Sequence, residues 1–67
     1  MTDAVVVDAR AMRCPWPVLR LSRAMRGASL VHILADDPQA EREFNALARE
    51  QGWDISPYDG GWLVQRP

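Results

Sequence analysis

The sequence predicts an α+β fold: a two-layer α/β sandwich in the order β-α-β-α-β-β, with a four-stranded mixed sheet and two helices on one face. Short β-branched or apolar runs alternate with segments of helical spacing. Each helical segment follows a proline and ends at a glycine, which are the residues favoured at those two ends. The chain has 67 residues, which is enough for a single domain over residues 1–67. Two helices against one sheet face is the simplest two-layer arrangement of these elements.

The first strand and helix are predicted from a valine run and from the prolines that follow it. Residues 4–9 form a β-branched strand. Pro15 and Pro17 suit the first turn of a helix, where a missing N–H leaves no partner unsatisfied. Residues 18–26 have helical spacing, and Gly27 is expected just beyond the helix end.

The second strand and helix are predicted from an apolar run that ends at two aspartates. Residues 30–35 are nearly continuously apolar, as in a buried central strand. Asp36 and Asp37 precede a proline, so we expect an acidic N-cap and a helix over residues 38–51. Gly52 is expected to cap this helix.

The last segment alternates apolar and polar residues around a turn, which predicts a hairpin. The alternation covers residues 53–57 and 62–64, and the turn is Asp59-Gly60-Gly61. Trp53 and Trp62 are expected to be cross-strand neighbours. The sheet face away from the helices would be the more exposed one.

Composition excludes several classes of protein. Lysine is absent, so Schiff-base catalysis by lysine is excluded. A lone cysteine cannot form an internal disulfide, and one cysteine and one histidine fall short of the four ligands of a structural zinc site, so we expect no structural metal. No apolar run approaches the roughly 20 residues of a membrane helix. An unpaired cysteine without an export signal predicts a cytoplasmic protein that needs no membrane partner.

Charge is divided unevenly along the chain. Residues 1–30 hold five arginines against two aspartates, a net +3, whereas residues 31–67 hold three arginines against seven acids, a net −4. The near-neutral total of −1 argues against direct nucleic-acid binding. The basic segment is either a docking surface for an acidic partner or a solvated face. Its arginines are Arg10, Arg13, Arg20, Arg23 and Arg26.

Cys14 is the candidate reactive residue because it lies at or near the start of the first helix. The free N–H groups there, together with Arg13, are expected to lower the pKa of the thiol. The alternative is a small buried side chain, but the two flanking prolines favour a thiol held in a fixed, exposed place. Trp16 is either an exposed partner contact or a residue packed on the sheet edge.

The residues that accompany Cys14 limit its chemistry. No second cysteine can resolve a disulfide, and His32 lies inside the second strand, where a structural role is expected. A single thiol with neither base nor partner thiol fits a carrier of a chemical group. Two other interpretations remain: an interaction module with an incidental cysteine, and a thiol redox sensor.

The segment 8–17, which contains Cys14-Pro15-Trp16-Pro17, resembles the Cys-Pro-x-Pro signature of the TusA/SirA-like sulfur-carrier family. Residues 35–38 and Gly52 resemble two further landmarks, so the likeness spans essentially the whole chain. It implies a sulfurtransferase-like carrier whose Cys14 becomes a persulfide, with Pro15 and Pro17 as the motif prolines. Such a carrier is expected to need no cofactor and no metal.

The same resemblance implies two protein partners, a sulfur donor such as a cysteine desulfurase and a downstream acceptor. Members of the family serve tRNA thiolation, molybdenum-cofactor enzymes or sulfur oxidation, and the sequence selects neither one of these pathways nor an oligomeric state. The chain departs from the family pattern at Ala11-Met12, where Gly-Leu is usual. It departs again at Glu43-Phe44-Asn45, where an acid-Ile-Pro is usual. Neither departure is expected to touch the sulfur site.

Overall fold

The computed structural model describes residues 4–67 and contains the six elements in the predicted order. They are β1 Val5–Asp8, α1 Trp16–Gly27, β2 Leu30–Leu34, α2 Ala40–Gln51, β3 Asp54–Tyr58 and β4 Gly61–Gln65. The sheet order is β1-β2-β4-β3, in which β1 and β2 are parallel and the other pairs are antiparallel. The predicted α+β fold with a four-stranded mixed sheet is confirmed. Within residues 4–67 no helix is both long enough and apolar enough to cross a bilayer.

The core lies between the two helices and one face of the sheet. Alternate strand side chains point toward the helices, because the side-chain period of a strand is two. The largest fully buried side chains are Phe44, Leu21, Met25, Ile33, Val31, Val64 and Pro17. The ring of Phe44 meets the ring of Trp62 edge-on, with centroids 5.3 Å apart. Both helices therefore pack on the same side of the sheet, as predicted.

The other sheet face is partly open. Val6 on β1 is 62% exposed, and Tyr58 on β3 is 52% exposed. Between them His32 is largely buried, and its Nε2 lies 3.0 Å from the carbonyl oxygen of Tyr58. The two rings also meet edge-on at 5.0 Å. His32 thus has the predicted structural role and lies on the sheet rather than beside the cysteine.

Two predicted helix boundaries, the end of α1 and the start of α2, are wrong by one or two residues. Gly27 is the last residue of α1, and the C-cap is Ala28, whose N–H donates to the carbonyl oxygen of Ala24 at 3.1 Å. The N-cap of α2 is Gln39, two residues after Asp37, and Asp36 Oδ1 and Asp37 Oδ2 accept hydrogen bonds from the N–H groups of Ala11 and Cys14. At the far end of α2 the prediction is confirmed, since Gly52 is left-handed with φ 76°.

The hairpin is tighter than the sequence predicted. Asp59 and Gly60 both have positive φ, 45° and 80°, as in a two-residue primed turn. This turn fixes the register so that Trp62 pairs with Pro57, and Trp53 precedes the strand. The predicted Trp53–Trp62 pairing is therefore wrong. Gly61 must be small, because a Cβ there would collide with the carbonyl oxygen of Ile33.

Candidate functional site

Two loops meet at one edge of the sheet, where the parallel strands β1 and β2 both end. We call residues 9–15 the thiol loop and residues 35–39 the acidic loop. Their strands are neighbours in the same direction, so the chain leaves both strands at the same edge. The N–H of Ala9 donates to the carbonyl oxygen of Leu34 at 2.8 Å, which joins the two loops where they begin.

The acidic loop holds the thiol loop through two aspartate side chains. Asp36 Oδ1 accepts a hydrogen bond from the N–H of Ala11 at 2.9 Å. Asp37 Oδ2 accepts one from the N–H of Cys14 at 2.6 Å, and its Oδ1 accepts from the N–H of Gln39 at 3.2 Å. These aspartates were predicted only as a helix start. Their position directly after a strand parallel to β1 could have indicated the contact.

Cys14 is exposed, so the alternative of a small buried side chain is wrong. It precedes Pro15, the N-cap of α1, and the Cys14–Pro15 peptide bond is cis. Pro17 is buried in the first turn of α1, whereas Pro15 is exposed. The proline-flanked segment thus places the thiol at the surface, just outside the helix.

A carboxylate from α2 reaches the thiol. The Sγ of Cys14 donates a hydrogen bond to Oε2 of Glu43 at 2.7 Å. This hydrogen bond raises the pKa of the Cys14 thiol above its ordinary value, and desolvation and the negative charges of Glu43 and Asp37 act in the same direction. The cation that opposes the shift is Arg42 of α2.

The predicted lowering of the thiol pKa is therefore wrong, and so is the expectation that residues 43–45 lie away from the sulfur. Cys14 lies before the N-cap and not in the first helical turn, where the helix dipole acts most strongly. The nearest charge is a carboxylate from a helix 29 residues along the chain. Because no local spacing joins Cys14 to Glu43, sequence inspection missed this contact.

The other residues predicted for the site are spread over α1 and the thiol loop. Arg10 forms an ion pair with Asp8, with Nη2 and Oδ2 2.9 Å apart, and both side chains are more than half exposed. Arg13 and Arg23 are exposed, as is Arg20, whose Nη1 lies 3.8 Å from the Sδ of Met12.

Two apolar side chains on α1 face solvent near Cys14. Trp16 is 60% exposed, so the alternative of a residue packed on the sheet edge is wrong. Leu19, one turn further along α1, is 50% exposed and was not among the predicted residues. An i, i+3 spacing places both on one side of the helix. Within residues 4–67 no three metal-binding side chains are grouped so that they could hold an ion.

Fold and site together define a small two-layer α/β domain with an accessible thiol at a loop edge. The crystal structure of a SirA-like protein from Desulfitobacterium hafniense has the same fold, with a TM-score of 0.72 over 90% of each chain at 24% identity. The family model described as Sulfurtransferase TusA matches residues 5–65. The chain belongs to this family.

Two relatives are similar to this chain over most of their length. The Sulfur carrier protein TusA of Allochromatium vinosum is 33% identical, with 82% of this chain and 79% of the relative covered. A relative from Archaeoglobus fulgidus, whose name also describes a sulfur carrier protein, is 34% identical, with 79% of this chain and 73% of the relative covered. The role of the chain is that of a sulfur carrier in a relay with donor and acceptor proteins. An interaction module with an incidental cysteine is not favoured, nor is a redox sensor.

Proposed function

We propose that Cys14 is the residue that carries sulfur, as a persulfide formed from a donor protein. The Sγ of Cys14 forms a bond to the outer sulfur of the donor persulfide while the donor's own sulfur–sulfur bond breaks. The donor cysteine departs as a thiolate and takes up the proton that Cys14 loses, so the donor ends as a thiol. The donor persulfide and the Cys14 thiol thus become a donor thiol and a Cys14 persulfide, without an added oxidant or reductant. The same exchange with an acceptor thiol empties the carrier.

The exposed thiol of Cys14 is the observation that carries this proposal. It is the only cysteine in the sequence, and it lies on a loop whose backbone is fixed by Asp37. A thiol that meets two different proteins in turn must be accessible and held in a defined place. Pro15 and Pro17 support this placement beside the first turn of α1, and the neighbouring Arg13 is exposed on the same loop.

We further propose that the partner-binding surface is formed by the exposed side of α1. Trp16 and Leu19 supply apolar contact area, and Arg20 and Arg23 supply positive charge for an acidic partner. Arg10 contributes less net charge than the sequence suggested, because Asp8 compensates it. The donor is a cysteine desulfurase or another carrier. The relay operates in the cytoplasm, where thiols stay reduced.

The direct test is sulfur loading followed by intact mass. The wild-type protein is incubated with a cysteine desulfurase and L-cysteine, and its mass should rise by one sulfur atom. A Cys14→Ser variant should gain nothing. The proposal fails if the wild type gains no sulfur, or if the serine variant gains as much.

A second experiment tests the α1 surface. Arg23→Glu and Trp16→Ala should each slow loading at limiting donor concentration, and added salt should slow the wild type toward the Arg23→Glu rate. Arg49→Glu is the matched control, because Arg49 is exposed but lies in the last turn of α2. Equal slowing by Arg49→Glu would mean that net charge, and not this surface, sets the rate.

A further inference from the structure

The contact between Glu43 and Cys14 leaves the carboxylate only half satisfied. Oε2 accepts the thiol hydrogen at 2.7 Å. Oε1 is buried and has no hydrogen-bond partner among the residues that the structure describes. A buried carboxylate oxygen without a partner is costly, and such groups are commonly associated with function. Packing alone does not explain why Glu43 is placed beside Cys14.

The geometry of this contact depends on the state of the sulfur. A neutral thiol can donate its hydrogen to the carboxylate, whereas a thiolate has no hydrogen to donate and would place two negative charges side by side. A persulfide at Cys14 also has no hydrogen on Sγ, because that atom is then bonded to the outer sulfur. The hydrogen bond that Sγ donates to the Glu43 carboxylate can exist only while the carrier is empty and its thiol is protonated.

We propose that Glu43 is a positioning residue that holds the empty Cys14 thiol protonated against α2 and releases the sulfur once it has been loaded. This inference rests on the proposed function of Cys14 as the carrier thiol. In the free protein the restraint slows the reaction of Cys14 with small electrophiles. A donor protein must displace the carboxylate before Sγ can attack. After loading, the lost hydrogen bond and the negative carboxylate turn the outer sulfur away from α2 and toward an acceptor.

Other charged groups near Cys14 modify this restraint. Asp37, on the acidic loop, adds negative charge and binds the N–H of Cys14. Arg42, on α2, acts in the opposite direction. Arg13 is the sequence neighbour of Cys14 and is exposed. Glu43 remains the first cause of the raised thiol pKa, because it alone of these groups contacts Sγ directly.

The test is the pH profile of alkylation by iodoacetamide, which reports thiolate because the thiolate is the nucleophile. Cys14 is the only cysteine, so the reaction follows one site. Glu43→Gln should move the profile to lower pH and raise the alkylation rate at pH 7 severalfold. Glu41→Gln, an exposed glutamate in the first turn of the same helix, should follow the wild type. A Glu43→Gln profile that overlaps the wild type, or moves to higher pH, overturns the proposal.

Two further measurements keep this outcome interpretable. An unfolded chain would also expose an ordinary thiol, so circular dichroism and urea titration must show that each variant is folded at the pH of the assay. Glu43→Ala provides a second variant with the same expected direction, and an unmoved profile in it overturns the proposal equally. Because alkylation needs no sulfur donor, a failed loading experiment with a shifted profile would reject the carrier role and leave the Glu43 restraint standing.

Discussion

The helix–sheet core and the thiol edge are held together by different forces. The core consists of apolar side chains with almost no exposure, such as Phe44, Leu21 and Ile33. The thiol edge depends on a few hydrogen bonds that groups on the thiol loop donate to the carboxylates of Asp36, Asp37 and Glu43. Burial supplies most of the stability of a small domain, whereas directional polar contacts set the reactivity of one atom. We therefore expect stability and thiol reactivity to be separable by mutation.

The largest effect on stability is expected at Phe44, in the centre of the core. Phe44→Ala removes a fully buried ring and leaves a cavity, which should cost about 3–5 kcal/mol of unfolding free energy. Urea titration measures this loss, and Phe44→Leu should lose less. In Phe44→Leu the alkylation profile of the folded protein should match the wild type. A shifted profile there would show that the core and the thiol edge are coupled.

A smaller effect is expected at Asp37, whose side chain both stabilises the loop backbone and influences the reactivity of the thiol. Asp37→Asn weakens the hydrogen bonds to the N–H groups of Cys14 and Gln39, and should cost about 1–2 kcal/mol in urea titration. It also removes a negative charge that raises the thiol pKa, so alkylation should shift to lower pH. Asp36→Asn is the control, because Asp36 bonds Ala11 and not Cys14. An equal alkylation shift in both variants would contradict this division of roles.

The thiol loop can be stabilised at Ala11 without touching the sulfur. Ala11 has φ 69°, a left-handed conformation in which a Cβ is unfavourable. Ala11→Gly should raise the unfolding free energy by up to about 1 kcal/mol, since part of the relieved strain is offset by the greater freedom of glycine when unfolded. Urea titration should show a higher midpoint and alkylation should show no change. A lower midpoint would contradict the assigned strain.

The smallest effect is expected from the exposed ion pair between Asp8 and Arg10. The hydrogen bond from Arg10 lowers the pKa of Asp8 from 3.8 to about 2. The pair therefore stabilises the native state fully above pH 4, and this contribution disappears as the pH falls toward 2. The wild-type urea midpoint should fall more steeply over this interval than that of Asp8→Asn. High salt should reduce this difference between the two proteins. If their urea midpoints fall in parallel with pH at low salt, the ion pair does not contribute to stability.

The sequence was most informative where structure depends on neighbouring residues. The element order, the left-handed Gly52 and the structural role of His32 all agree with it. It was less informative about the start of α2, because the aspartates that precede this helix accept hydrogen bonds from N–H groups of the thiol loop and neither is its N-cap. The sequence also failed to predict the hairpin register. The two-residue turn pairs Trp62 with Pro57, and not with Trp53 as expected.

The sequence by itself determined that this chain has one thiol, no partner cysteine and a motif that identifies its family. Only the tertiary structure decided how that thiol behaves. Glu43 is 29 residues from Cys14 along the chain, yet its carboxylate contacts Sγ and reverses the expected direction of the thiol pKa. The reason is physical: local sequence sets backbone preferences, whereas a pKa depends on whatever charge lies within a few ångströms, and packing brings that charge from elsewhere.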